Sequence, residues 1–170
     1  MKLLKLFVTV LALVSFPHIA SAQDSGAYGG IGITTFEFDT YGINAKLGYD
    51  INKNFSVEGE GFLGVGGESG PYGNPPTTTS EIDYSVAAYA VVRLPLSEQF
   101  DIFARGGYHN TKLSLKSPIA NVSGDIDGFA LGGGLQYNLS DTSSIRADYT
   151  YLDGKFSDFD TVSISYVRRF

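Results

Sequence analysis

Between Tyr41 and Ile51 apolar and polar residues alternate without a break. Tyr41, Ile43, Ala45, Leu47, Tyr49 and Ile51 share one parity; Gly42, Asn44, Lys46, Gly48 and Asp50 share the other. A period of two is the signature of a strand with two unlike faces. The same pattern returns in six further segments. Phe55, Val57, Gly59, Gly61, Leu63 and Val65 oppose Ser56, Glu58, Glu60, Phe62 and Gly64. Ile82 to Leu94 places Ile82, Tyr84, Val86, Ala88, Ala90, Val92 and Leu94 on one face. Phe100, Ile102, Ala104, Gly106 and Tyr108 oppose Asp101, Phe103, Arg105, Gly107 and His109. Asp127 to Leu139, Ile145 to Tyr151 and Val162 to Phe170 follow in the same manner. The first segment, Ala27 to Thr35, is blurred by glycines; Ala27, Ile31 and Ile33 are its expected apolar face.

These are eight strands, an even number. The connections between them alternate in length. Short turns fall at 52–54, 95–98 and 140–142. Longer or more polar ones fall near 37–40, 66–81, 111–126 and 153–158. Short turns on one side and long loops on the other are how an up-and-down membrane barrel is connected. The pattern predicts an all-β, eight-stranded antiparallel transmembrane barrel.

Before the first strand, Lys2 and Lys5 precede an apolar run from Leu3 to Phe16. Ala20-Ser21-Ala22 follows as a small-residue cleavage site. The run is short of the ~20 apolar residues that a bilayer helix needs. Residues 1–22 are therefore expected to be a cleaved signal peptide, with Ala20 and Ala22 at the cut, and 23–170 the barrel domain. Losing Lys2 and Lys5 takes the net charge from −6 to −8. An acidic domain is a poor match to nucleic acid. The chain has no cysteine, which excludes a disulfide scaffold, a thiolate metal site and a lipid-anchor cysteine.

Alternation alone does not say which face meets lipid. A soluble barrel points its apolar face inward around a ligand. Here the polar faces carry many glycines and a few charges of both signs: Lys46, Glu58, Glu60, Arg93, Arg105, Arg146 and Asp148. Small residues plus charges able to pair suit a narrow interior better than a solvated surface. Aromatics near the strand ends, among them Tyr41, Tyr49, Phe55, Phe100, Tyr108, Tyr137 and Tyr151, suit a girdle at the headgroups. Unpaired charges inside would be expensive, so Glu58 and Glu60 are expected to meet Arg105, Arg146 and Lys46. Eight strands leave room only for side chains, so these charges are expected to plug the lumen. A gate in a narrow pore is the other reading.

With these features the chain resembles the small eight-stranded outer-membrane barrels, akin to the transmembrane domain of outer-membrane protein A and to outer-membrane protein X. The resemblance spans the mature chain. It is most specific in the last strand, where Val162, Ile164, Tyr166 and Phe170 resemble the signal read by the barrel assembly machinery. Arg168 departs from that pattern. Phe103-Ala104-Arg105-Gly106-Gly107-Tyr108 also looks familial, and the peptidoglycan-binding domain of full-length relatives of the first type is expected to be lacking. The resemblance implies the bacterial outer membrane as location, with lipids, lipopolysaccharide and the assembly machinery as partners. Loops 66–81 and 111–126 become candidates for an extracellular ligand in adhesion or envelope integrity. A narrow small-solute channel, porin-like, is the alternative.

Enzymatic chemistry finds little footing. His109 is the one histidine of the mature chain, and with Thr111 or Ser114 it lacks an evident third member of a hydrolytic triad. A lone histidine at a strand end is expected at the rim. A lipid A-modifying hydrolase is the remote alternative. Asp153 to Asp160 lacks the spacing of a calcium loop. Asn121-Val122-Ser123 matches a glycosylation acceptor by chance, and no glycine cluster opens a helix after a strand. No cofactor is implied.

Overall fold

A computed structural model describes residues 26–37, 40–67, 79–117, 120–154 and 158–170. The signal-peptide reading at Ala20 and Ala22 and most of the 66–81 connection lie outside these residues. Eight strands run in chain order: β1 (Gly26–Phe36), β2 (Thr40–Asp50), β3 (Phe55–Gly67), β4 (Thr79–Pro95), β5 (Phe100–Ser117), β6 (Ala120–Asn138), β7 (Ser143–Leu152) and β8 (Phe159–Arg169). Each pairs antiparallel with the next, and β1 pairs with β8, so the sheet closes into a barrel. Closure satisfies the backbone hydrogen bonds between strands, which leaves the side chains free to be apolar on the outside.

The outward parity is the apolar one. Ile31, Ile33, Phe129 and Leu131 are each 65% exposed or more, and Leu47, Val57, Leu94, Leu135 and Ile164 face out beside them. Aromatics flank this band at both ends. Phe100 packs on Tyr137 at 4.9 Å near the short turns, and Tyr108 meets Phe129 edge-on at 5.8 Å toward the other end. Strands β1, β2, β7 and β8 are 10 or 11 residues long, the span of a tilted strand across hydrocarbon.

The three short turns are one device used three times. In each, the amides of two consecutive residues, Ile51 and Asn52, Leu96 and Ser97, or Leu139 and Ser140, donate to the carbonyl that reopens the next strand. The second residue's side chain then accepts amides two and three positions on. Asn52 Oδ1 takes Asn54 and Phe55, Ser97 Oγ takes Gln99 and Phe100, and Ser140 Oγ takes Thr142 and Ser143. Asn and Ser are chosen because a short oxygen-bearing side chain can replace the missing backbone acceptor.

Two sequence expectations change here. The segment 111–126 is strand rather than loop: β5 and β6 stay in register from Phe100↔Tyr137 up to Ser117↔Ala120. Alternation continues through Lys112-Leu113-Ser114, where serine, lysine and a nearby proline mimic a loop by composition. With β4, these strands of 17, 18 and 19 residues rise well past the 10-residue β7. The second change is Ile82, expected outside with Tyr84. The register slips between Ile82 and Tyr84, leaving Asp83 without an opposite residue. One inserted residue reverses the parity above it. Ile82 is therefore buried inside, 6% exposed.

Candidate functional site

The inward parity builds three tiers within the barrel. The middle tier is made of Lys46, Arg105 and Arg146 against Glu58, Glu60 and Asp148. Their side chains alternate with backbone glycines and small residues, so long side chains from opposite walls meet at the axis. Lys46 Nζ lies 2.8 Å from Asp148 Oδ2 and 3.1 Å from Glu60 Oε2. Arg105 Nη1 donates to Glu60 at 2.6 Å and approaches Glu58 at 3.4 Å, and its Nη2 donates to Asp148 at 2.7 Å. Arg146 Nη1 donates to Glu58 at 2.5 Å. Every member of this tier has an opposite charge at bonding distance, the condition under which ions are tolerated away from water.

Neutral groups complete the coordination. Tyr28 donates its hydroxyl to Glu58 at 2.8 Å, and Thr150 Oγ1 accepts from Arg105 Nε and Nη2 at 3.0 and 2.6 Å. Gln136 Oε1 accepts from Arg146. The Arg105 guanidinium lies over the Tyr89 ring at 4.4 Å, and Arg146 over Phe103 at 4.8 Å. Tyr28 has room because its cross-strand neighbour is Gly48, where any Cβ would overlap the tyrosine ring.

Toward the short turns, Asp50 gathers a second set. Its Oδ1 accepts from Arg93 Nη1 at 3.1 Å and Ser56 Oγ at 2.8 Å, and its Oδ2 accepts from Arg169 Nε at 3.0 Å. Arg93, expected from parity beside the central charges, belongs to this separate tier. Asp101 meets Gln136 and Asn138 alongside. The Arg169–Asp50 pair crosses the seam from β8 over β1 to β2. Ser165 donates to Asn44 and Asn44 to Thr34 along the same seam.

Toward the tall strands the filling becomes apolar. Phe36 and Phe62 pack at 4.7 Å, joined by Ile82, Ala130 and Leu152, with Leu113 and Phe159 against them. A void of about 20 Å³ beside Glu60, Phe62, Ser85 and Tyr89 has room for one or two waters. Solvent does not reach Arg105, Arg146, Lys46, Tyr28 or Gln136, all under 2% exposed.

His109 is within this upper tier and not at the rim. It is 1% exposed, with Nδ1 at 3.0 Å from Thr111 Oγ1 and Nε2 donating to the Asp153 carbonyl at 2.9 Å. Thr111 in turn bonds Ser85 at 2.7 Å. Ser114 points the other way and donates to Asp83 at 2.7 Å. The histidine thus fastens the β7–β8 connection to the sheet. In the last strand Tyr166 and Phe170 face outward at the short-turn end, where Tyr166 bonds Ser143 at 2.9 Å. Arg168 is exposed on the same face, at the level where a long basic side chain reaches headgroups.

Sequence alone pointed to the six central charges. It did not single out Asp50, Arg169, Tyr28 or Thr150. Asp50 and Arg169 stand at strand ends beside turns, where parity gives no sign of a reach across the seam.

The family profile described as an outer membrane protein beta-barrel domain matches residues 6–170. No curated protein matches the sequence. Solved structures share the fold. The N-terminal β-barrel domain of Pseudomonas aeruginosa OprF matches with a TM-score of 0.65 at 12% identity, covering 87% of this chain and 98% of that one. Ail, the attachment invasion locus protein of Yersinia pestis, in complex with the heparin analogue sucrose octasulfate, matches at 0.63 and 20% identity, covering 86% and 99%. Neisserial surface protein A matches at 0.61 and 14%, covering 89% and 100%.

Proposed function

The chain belongs to the outer membrane protein beta-barrel domain family and is an all-β barrel of the bacterial outer membrane, and from that premise we propose that it is a non-conducting scaffold for a surface-interaction role. The observation that carries this reading is the raised sheet of β4, β5 and β6. It rises above a barrel whose interior is filled with paired charges below and aromatics above. A rigid membrane anchor presenting one tall sheet suits contact with other cells, host factors or lipopolysaccharide. Ail, an attachment invasion locus protein, and Neisserial surface protein A share the fold and lend the reading weight.

Supporting roles follow from position. Tyr166 and Phe170 serve as the signal to the assembly machinery, and residues 1–22 as the export signal. Outer-membrane lipid and lipopolysaccharide surround the apolar band. A hydrolytic role would need a nucleophile that substrate can reach, whereas His109 and Thr111 are sealed inside.

The test joins two measurements. In planar bilayers the purified barrel shows no steady conductance steps, and discrete long-lived openings would support the porin-like alternative instead. In cells, replacing 112–125 by a short turn lowers adhesion or serum survival while the heat-modifiable band on gels persists. Unchanged adhesion and survival with the sheet removed would overturn the surface role.

A further inference from the structure

We propose that Arg168, with the hydroxyls of Ser143 and Tyr166, binds the phosphodiester headgroup of an anionic phospholipid of the periplasmic leaflet, at the seam where β8 closes onto β1. The site is on the membrane-facing wall and is separate from the tall sheet that the surface role uses.

At the short-turn end the outward parity carries large apolar and aromatic side chains, Tyr49, Phe55, Leu94, Phe100, Tyr137 and Leu139 among them. That girdle changes character where β7, β8 and β1 meet. Arg168 stands there on the lipid-facing parity, exposed, with Ser143 opposite it on β7 and Gly29 opposite it on β1. Glycine has no side chain and serine a short one, so the strip between Tyr166 and Phe170 is a shallow notch with Arg168 at its centre. Leu47 and Phe170 wall it on the β1 side: a Cβ on Gly29 would lie 3.5 Å from each. Successive residues of β8 take opposite roles. Arg169 turns inward and is held by Asp50 at 3.0 Å. Arg168 faces the membrane, where a guanidinium is costly unless it reaches an anion at the headgroups.

Charge and hydrogen bonding choose the occupant. The hydroxyls of Ser143 and Tyr166 lie 2.9 Å apart and share one hydrogen bond. Whichever of them accepts keeps its own proton to donate. A guanidinium fork and one free hydroxyl proton match the two unesterified oxygens of a phosphodiester. The short turns of outer-membrane barrels are periplasmic, so the lipid beside them is phospholipid rather than lipopolysaccharide. A headgroup that carries an ammonium brings a second cation beside Arg168; phosphatidylglycerol brings none. The chain is acidic overall, at −6, and as a whole repels anionic lipid. A preference for anionic lipid at this seam is therefore local in origin.

The experiment uses the mature chain in bilayers that mix phosphatidylcholine with phosphatidylglycerol, one or the other brominated high on its acyl chains. Two single-tryptophan forms report on two places. Ile145→Trp is beside the notch, where Ile145 is the cross-strand partner of Tyr166, and Phe100→Trp is on β5, away from it. Relative quenching by the two brominated lipids gives the lipid preference at each position. At 145 phosphatidylglycerol is preferred about fivefold, the contribution of one basic side chain near an anionic headgroup. At 100 it is not preferred. Arg168→Gln abolishes the preference at 145, Arg168→Lys keeps part of it, and about 500 mM salt weakens it. Phosphatidylethanolamine behaves as phosphatidylcholine does. Inorganic phosphate at matched ionic strength leaves the preference in place, because the acyl chains hold the lipid at the notch. Equal preference at 145 and 100, a preference at 145 that survives Arg168→Gln, or its displacement by inorganic phosphate would each overturn the lipid site. The comparison of 145 with 100 in chains that retain Arg168 decides the matter even where Arg168→Gln fails to fold.

Discussion

Arg105 donates to Asp148 at 2.7 Å across the lumen while its other terminal nitrogen holds Glu60 at 2.6 Å. One guanidinium from β5 thereby joins β3 to β7, on nearly opposite walls of the barrel. The sheet hydrogen bonds join only neighbours, so this cross-brace is a different kind of restraint. It ties the cylinder's section, and it places three cations and three carboxylates in one tier inside the barrel.

Arg105→Met tests the brace. It leaves Glu60 and Asp148 with Lys46 and an excess of negative charge in the interior. The cost is about 3–5 kcal/mol, the usual range for removing one partner of a buried ion pair. The urea midpoint of the folded band, followed by heat-modifiable gel migration, falls accordingly. Adding Glu60→Gln to Arg105→Met recovers part of the loss, because the tier is again neutral.

Asp50 and Arg169 give a graded pair of variants. Arg169 is partly exposed, so Arg169→Gln costs about 1 kcal/mol or less. Asp50 also serves the buried Arg93, so Asp50→Ala strands a cation inside and costs several-fold more. Equal urea midpoints for the two variants would contradict this assignment.

Glycines on the two faces respond differently to a methyl group. Gly107 points inward, where a Cβ would overlap the carbonyl oxygen of Ala88, a backbone atom with no freedom to yield. Gly107→Ala therefore costs roughly 1–3 kcal/mol. Gly61 faces lipid with nothing within 4 Å of an added Cβ, and Gly61→Ala is neutral or mildly stabilising. The same urea titration reads both.

Much of this molecule was legible in period-two parity. The outward positions of Leu47, Val57, Leu135 and Ile164 follow from it, as does the inward direction of Lys46, Glu58, Arg105 and Arg146. Parity says which face a residue takes, and it fails where one residue is inserted. Asp83 is such an insertion, and Ile82 above it turns inside for that reason. Parity also does not give height along the axis, so Arg93 could not be separated from the central charges. The upper aromatic tier was missed because Phe36, Phe159 and Leu152 stand at strand ends, where apolar residues read equally well as girdle. The rise of β5 and β6 was hidden by Lys112, Ser114 and Lys116, whose polarity suits a loop and also suits a strand standing in water.

The central claim is that the exposed apolar parity faces lipid. The chain contains no tryptophan, so a single one can be introduced as a reporter. Ile164→Trp and Leu135→Trp are placed in bilayers containing lipid brominated near the centre of its chains, with Ser140→Trp in a short turn as the reference. Strong quenching at 164 and 135, with little at 140 and little access to aqueous acrylamide at the first two, is the expected result. Emission at 164 and 135 that is insensitive to brominated lipid and quenched by acrylamide would contradict the barrel's orientation toward the membrane.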